Sequence, residues 1–148
     1  MAVGRVRYAP MCDHDGVLLN DPMVLRLAED RFWISIADSD VLLWCQAVGA
    51  ERGLDCRVFE PDVSPLAVQG PRADDTMADL LGEWVRDVPF FGFVETSHDG
   101  IPFVLCRSGW SGQGGFELFL QDGSRGLDLW DAVWAAGEKY GIHPGGPT

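Results

Sequence analysis

Ile101-Pro102-Phe103-Val104-Leu105-Cys106-Arg107-Ser108-Gly109-Trp110-Ser111-Gly112-Gln113-Gly114-Gly115-Phe116-Glu117-Leu118-Phe119-Leu120-Gln121 reads as two apolar runs, 101–107 and 116–121, joined by a glycine-rich connection. Short apolar runs bounded by glycine and serine are strand signals. Four glycines fall among residues 108–115, and such a density implies close backbone approach or positive φ. Upstream, the run 90–95 pairs with the run 101–107 around His98-Asp99-Gly100, a hairpin-turn sequence. Downstream, residues 126–140 have helical spacing, with Leu127, Trp130, Val133 and Trp134 on one face and Gly141 as the stop.

The same grammar extends toward the N-terminus. Residues 5–12 are a strand candidate, Asp13-His14-Asp15-Gly16 is turn chemistry, and Val17-Leu18-Leu19 resumes the apolar pattern. Asn20-Asp21-Pro22 interrupts it, because proline has no N–H and biases its predecessor away from helix. Residues 23–27 and 32–37 read as two further strands. Asp38-Ser39-Asp40 offers helix-capping side chains ahead of a helix from Val41 that stops near Gly53. Residues 56–59 read as a short strand. Glu60-Pro61-Asp62-Val63-Ser64-Pro65 is the candidate domain crossing, which divides the chain into 1–60 and 61–148. Beyond it come a strand over 66–69 and a helix over 71–81, with Pro71 suited to a first turn. Strands in pairs and triplets with isolated helices between them predict an α+β fold with antiparallel sheets and flanking helices.

Composition sets outer limits. The chain has 148 residues, a hydrophobic fraction of 47% and a charged fraction of 23%, ordinary values for a globular domain. No apolar run approaches the ~20 residues of a membrane-spanning helix, and the N-terminus lacks the apolar core of a signal peptide. A cytoplasmic protein with no membrane partner is expected. The net charge is −12, from 11 basic and 23 acidic residues. A phosphate backbone needs a basic surface, so no nucleic-acid partner is expected. Solubility is the plain reading of this acidity, and a field that favours a cationic substrate is the secondary one. The four cysteines, Cys12, Cys45, Cys56 and Cys106, form no C-x-x-C pair, and the three histidines lie far apart. Without metal-ligand spacing no metal site is expected.

Three places carry candidate chemistry. Tyr8 and Asp21 stand at opposite ends of one hairpin, where phenol and carboxylate can converge. Asp21 is a candidate base or orienting group, and an Asx turn is its plainer reading. Glu117 lies in an apolar strand, where it either faces solvent by alternation or lines a pocket. Its carboxylate can accept two parallel N–H bonds from a guanidine-like ring edge. Trp110 sits in the glycine loop with little local core to join, so its face is available to an onium group at roughly 0.5–2 kcal/mol. Gly109-Trp110-Ser111-Gly112-Gln113 is not a nucleophile elbow, since it lacks the final glycine. No lysine follows to make a P-loop. A flexible hairpin loop is the plainer reading of that segment.

Together these segments resemble the folate-binding part of the glycine-cleavage T-protein superfamily. The resemblance is carried by Arg7-Tyr8 through Asp13-His14-Asp15-Gly16 to Asn20-Asp21, by Val68-Gln69-Gly70-Pro71, and by the run from Arg107 to Glu117. Within that superfamily the chain is most similar to the dimethylsulfoniopropionate demethylases, in Asn20-Asp21-Pro22, Phe32-Trp33, Ala37-Asp38-Ser39-Asp40, Glu60-Pro61-Asp62-Val63-Ser64-Pro65 and Trp110-Ser111-Gly112-Gln113-Gly114-Gly115. The resemblance implies parts of two adjoining folate-binding subdomains. It implies tetrahydrofolate as cofactor and a methyl transfer from a small-molecule substrate, dimethylsulfoniopropionate, to give methylthiopropionate and 5-methyltetrahydrofolate. Asp21 then matches the catalytic acid near the reacting folate nitrogen, Tyr8 and Glu117 match cofactor-binding positions, and Trp110 and Phe119 match substrate-binding ones. Phe119 departs from the tyrosine expected there. An aminomethyltransferase, a folate-dependent O-demethylase and a non-catalytic folate-binding fragment are the alternatives. The superfamily chain is more than twice as long, so an internal fragment is expected. Homo-oligomerisation is left open.

Overall fold

A computed structural model describes residues 1–37 and 41–146. It divides into two compact units, Met1–Pro61 and Asp62–Thr148. Antiparallel strands and a few helices build both. No helix of the described residues is long and apolar enough to cross a membrane.

The first unit contains β1 (Val6–Tyr8), β2 (Met11–Cys12), β3 (Leu18–Asn20), β4 (Met23–Arg26), β5 (Phe32–Ser35) and α1 (Val41–Glu51). β1, β4 and β5 form one antiparallel sheet in the order β1-β4-β5, and β2 and β3 form a separate ribbon. The expected single strand over 5–12 is therefore broken in two. Pro10 has no N–H to donate, so the ladder lapses there and the halves take different partners, β4 and β3. The intended turn forms between β2 and β3. Asp13 Oδ1 accepts from the amides of Asp15 (2.9 Å) and Val17 (2.8 Å), and Gly16 takes φ +85°. α1 closes through a Leu54 amide bond to Gly49 O of 2.9 Å, with Gly53 at φ +61°. The proposed cap over 38–40 lies outside the described residues. Residues 56–59 form no strand. In place of a ladder, the Gln46 side-chain amide donates to Val58 O at 3.0 Å.

The second unit contains β6 (Ser64–Gln69), α2 (Ala73–Leu81), a 3-10 turn (Glu83–Asp87), β7 (Phe93–His98), β8 (Ile101–Cys106), β9 (Gly115–Leu120) and α3 (Gly126–Gly137). The sheet is antiparallel throughout, in the order β6-β9-β8-β7. Asp99 at φ +47° and Gly100 at φ +76° make the two-residue turn between β7 and β8, the mirror-image geometry that matches strand twist. Leu66 and Val68 of β6, Phe103 and Leu105 of β8, and Phe116, Leu118 and Leu120 of β9 share one face, which joins Met77 of α2 and Leu129 and Val133 of α3 in a single core. Alternation therefore sends Cys106, Glu117 and Phe119 to the opposite face.

The buried stripe of α3 differs from the expected one. Leu129, Val133 and Gly137 are buried at four-residue steps, while Leu127 is 79% exposed. Residues two apart on a helix are about 200° apart, so seating Leu129 on the sheet turns Leu127 to solvent. Trp130 and Trp134 instead stack on each other, with ring centroids 6.2 Å apart. Glycine is required where the helix ends. A Cβ on Gly137 would stand 2.7 Å from Ile142 Cδ1.

Candidate functional site

In the first unit, hairpin geometry brings a phenol and a carboxylate together across 13 residues of sequence. Tyr8 ends β1 opposite Met23, and the Ala9 amide donates to Pro22 O at 2.9 Å. Pro22 is fully buried and anchors the segment that carries Asp21. Asn20 Oδ1 accepts from the Asp21 amide at 2.8 Å. Tyr8 Oη then donates to Asp21 Oδ2 at 3.0 Å. That bond, some burial and the negative charge of Asp21 all hold the phenol above its ordinary pKa. The phenol is therefore a proton donor throughout the neutral range. Both side chains are exposed, so Asp21 can turn its other oxygen, Oδ1, to a small ligand.

In the second unit, the loop between β8 and β9 is clasped from beneath, and the indole at its tip stands in water. Arg107 Nη2 donates to both oxygens of Asp74 on α2, at 2.7 and 3.0 Å, and the guanidinium lies 4.9 Å from the centroid of the Phe116 ring. Arg107 Nη1 is buried and without a hydrogen-bond partner. Gln69, at the end of β6, reaches under the loop. Its Nε2 lies within hydrogen-bonding distance of three carbonyls, Ser108 O at 3.1 Å, Phe116 O at 3.2 Å and Val68 O at 3.3 Å. Its Oε1 accepts from Ser111 Oγ at 3.0 Å. The glycines follow from this clasp. A Cβ on Gly109 would lie 1.8 Å from Gln69 Oε1, and one on Gly115 would lie 2.3 Å from Val68 O. The Gly70 amide closes the base with a 3.0 Å bond to Gly114 O. Beyond it, the Trp110 side chain is 100% exposed.

Glu117 projects from the face opposite the helices, between Ala67 of β6 and Cys106 of β8. Ser108, only 2% exposed, donates its hydroxyl proton to Glu117 Oε2. Cys106 Sγ lies 3.0 Å behind the same hydroxyl. Burial pushes that thiol up to about 12, so it stays a neutral S–H. Each carboxylate oxygen has two lone-pair directions. Oε1 and the second lone pair of Oε2 are therefore open to a pair of N–H donors. Phe119 stands two residues along on the same face and is 4% exposed.

The structure thus pairs Tyr8 with Asp21 and sets Glu117 beside Phe119 and at the foot of the loop that displays Trp110. Sequence reasoning passed over Ser108, Gln69 and the Arg107–Asp74 pair as contributors of geometry. Ser108 and Gln69 lie inside the quoted motifs, and that membership was the signal available. Among the described residues, no three His, Cys, Asp or Glu side chains converge as metal ligands would.

Residues 1–148 match the model of the GCVT N-terminal domain family. The chain is 47% identical over 148 residues, all of its length, to a dimethylsulfoniopropionate demethylase of Ruegeria pomeroyi, and covers 41% of that protein. It is 28% identical over 146 residues, 95% of its length, to an aminomethyltransferase of Natranaerobius thermophilus, and covers 39% of that one. It is 33% identical over 157 aligned residues, 99% of its length, to the alpha subunit of a Corynebacterium sarcosine oxidase, of which it covers 16%. The chain therefore spans well under half the length of the curated relatives it matches.

Proposed function

The chain belongs to the GCVT N-terminal domain family, and from that premise we propose that it supplies folate- and donor-facing residues to a demethylase that moves a methyl group from dimethylsulfoniopropionate to tetrahydrofolate. Methylthiopropionate and 5-methyltetrahydrofolate are the products. The donor assignment is supported by the 47% identity over the whole chain to a protein of that name, against 28% to the aminomethyltransferase of Natranaerobius. The observation that carries it is the fully exposed indole of Trp110 on a clasped loop. An indole face in water attracts a cation, and onium ligands are its favoured partners.

The residues present fit a folate. Glu117, its Oε2 held by Ser108, keeps acceptor capacity on both oxygens for the N–H edge of a pteridine, which would be a bidentate and charge-assisted arrangement. Tetrahydrofolate, when bound, supplies the amine nitrogen that accepts the methyl group. A sulfonium is already an activated leaving group, so this chain needs no nucleophile. Its task is alignment, which can supply several kcal/mol of the barrier. By the resemblance Asp21 matches the acid at the acceptor amine, where a carboxylate would offset developing positive charge. Tyr8 holds Asp21 by its Oδ2 and fixes the direction of Oδ1.

The test is turnover by the complete gene product supplied with tetrahydrofolate and dimethylsulfoniopropionate, with methylated folate and methylthiopropionate both quantified by mass spectrometry. Equal amounts of the two support the proposal. Folate binding without either product rejects the donor and directs the search to glycine-derived amines and methyl ethers, the donors of the aminomethyltransferase and O-demethylase reactions.

A further inference from the structure

Ser108 is the one buried polar side chain of the loop, and its hydroxyl lies within donating distance of two acceptors, Glu117 Oε2 and Cys106 Sγ. A hydroxyl has one proton, and the Ser108 proton goes to Glu117 Oε2. Ser108 itself is immobilised from two sides. Its carbonyl accepts from Gln69 Nε2 at 3.1 Å, and the preceding residue, Arg107, is pinned to Asp74. The adjoining Gly109 lies so close to the Gln69 amide that any side chain there would displace it. The hydroxyl is therefore delivered to a defined point by a rigid backbone. Behind it Cys106 Sγ, 3.0 Å away, is the weaker of the two acceptors that the hydroxyl can reach. Ser108 thus links Cys106 and Glu117 in one hydrogen-bonded chain.

Glu117 is the last member of that chain and needs help to hold still. Its neighbours across the sheet are Ala67 and Cys106, both too small to brace a long side chain. A glutamate left free keeps several rotamers, and ordering it on binding costs affinity.

We propose that Ser108 is a positioning residue, whose hydroxyl fixes the Glu117 carboxylate in the one orientation that presents its two oxygens to the pteridine edge of a bound folate. This rests on the reading of Glu117 as a folate ligand. It predicts that Ser108 acts on folate affinity only through Glu117. The Gln69 clasp and the Arg107–Asp74 pair locate Ser108 without touching the ligand.

The experiment is anaerobic titration of tetrahydrofolate into the complete gene product, followed by intrinsic fluorescence, for the wild type, Ser108→Ala, Ser108→Thr, Glu117→Ala and the double variant Ser108→Ala/Glu117→Ala. Thermal unfolding of each is recorded alongside. Ser108→Ala is expected to weaken binding roughly 3- to 10-fold, the scale of one hydrogen bond, and Ser108→Thr, which keeps the hydroxyl, to recover most of that loss. In the Glu117→Ala background the Ser108 change is expected to add nothing. Should Ser108→Ala fail to fold, Ser108→Cys keeps the shape with a weaker donor and takes its place. Two results overturn the proposal while leaving Glu117 as a ligand. In one, Ser108→Ala binds as the wild type does although Glu117→Ala is weakened. In the other, the Ser108 loss is equal in both backgrounds. Unchanged affinity in Glu117→Ala overturns the folate reading of Glu117 itself, and the proposal with it.

Discussion

Replacing Gly115 by alanine tests the proposition that the clasp at Gln69 dictates the glycines of the loop. Gly115 opens β9 opposite Gln69 and has φ +139°. Two costs fall on an alanine there. The backbone angle lies in a region that L-residues rarely occupy, which costs on the order of 1–3 kcal/mol. The new Cβ would stand 2.3 Å from Val68 O, 2.8 Å from Gln69 Nε2 and 2.9 Å from Gln69 Cα. Two of those three atoms are backbone, so the first pairs of the β6–β9 ladder must part by about 1 Å or more, and overpacking of this kind costs ~1–3 kcal/mol. The sum is roughly 2–6 kcal/mol, a large share of a domain's stability. Gly112 in the same loop is the internal control. It has φ +69° and nothing within 4 Å of its would-be Cβ, so alanine there carries only the conformational cost, about 1–2 kcal/mol. Urea unfolding of both variants in the complete gene product measures the difference. A Gly115→Ala loss no larger than that of Gly112→Ala would refute the packing argument.

Other consequences are as direct. Glu117→Gln should weaken tetrahydrofolate binding by ~1.5–3 kcal/mol, the scale of a charged hydrogen bond, and unchanged affinity by titration would remove Glu117 from the site. Trp110→Leu should raise the KM for the sulfonium donor more than the KM for folate, and equal shifts would make the indole a packing residue. Acid should loosen the second unit. Hydrogen bonds from Arg86 and then Arg72 hold Asp75 below its usual 3.8, and those from Lys139 and then Tyr140 do the same for Asp79. A carboxyl depressed in the fold stabilises above its unfolded-state value and loses that contribution as pH falls through the folded-state one. The urea midpoint should therefore fall between roughly pH 5 and pH 2, and the fall should be shallower in Asp79→Asn.

Local signals were the readable ones. His98-Asp99-Gly100 announces its turn because Asp99 and Gly100 must both take positive φ, and Gly100 does so at no cost. The alternation in Phe116-Glu117-Leu118-Phe119-Leu120 assigns Glu117 to the face opposite the core, and the sheet obeys it. The hairpin that brings Tyr8 to Asp21 is likewise contained within 13 residues. Illegible features depend on partners far along the chain. Gln69 meets Ser108 and Phe116 across 39 and 47 residues, and Arg107 meets Asp74 across 33. Nothing local distinguishes such a glutamine from an ordinary strand-end polar residue. The face of α3 was misjudged for a related reason. Leu127 and Leu129 are equally apolar, and only the sheet beneath decides which is covered. Residues 56–59 are apolar enough for a strand, but a strand exists only where a second one lies beside it.

A serine in a glycine loop is ordinarily a solvated hinge, and a tryptophan there is ordinarily a sign of a covering surface. Here the roles are inverted. Ser108 is enclosed at 2% exposure while Trp110, two residues on, is wholly in water. Leaving an indole of some 150–250 Å² unburied forgoes a few kcal/mol of apolar stabilisation, whereas the buried hydroxyl is satisfied at once by Glu117. Of the three anchors, Arg107 on Asp74 and Ser108 on Glu117 act on its base, Gln69 reaches from the base to Ser111, and the indole itself is left in water. Such a division limits where the indole can travel without occupying its face. Part of the ordering entropy of capture is then spent in folding, before any ligand arrives. It also ties the two candidate contacts together mechanically, because the segment that steadies the acid is the one that displays the ring. Changes at Gln69 should for that reason disturb both, and changes at Trp110 only one.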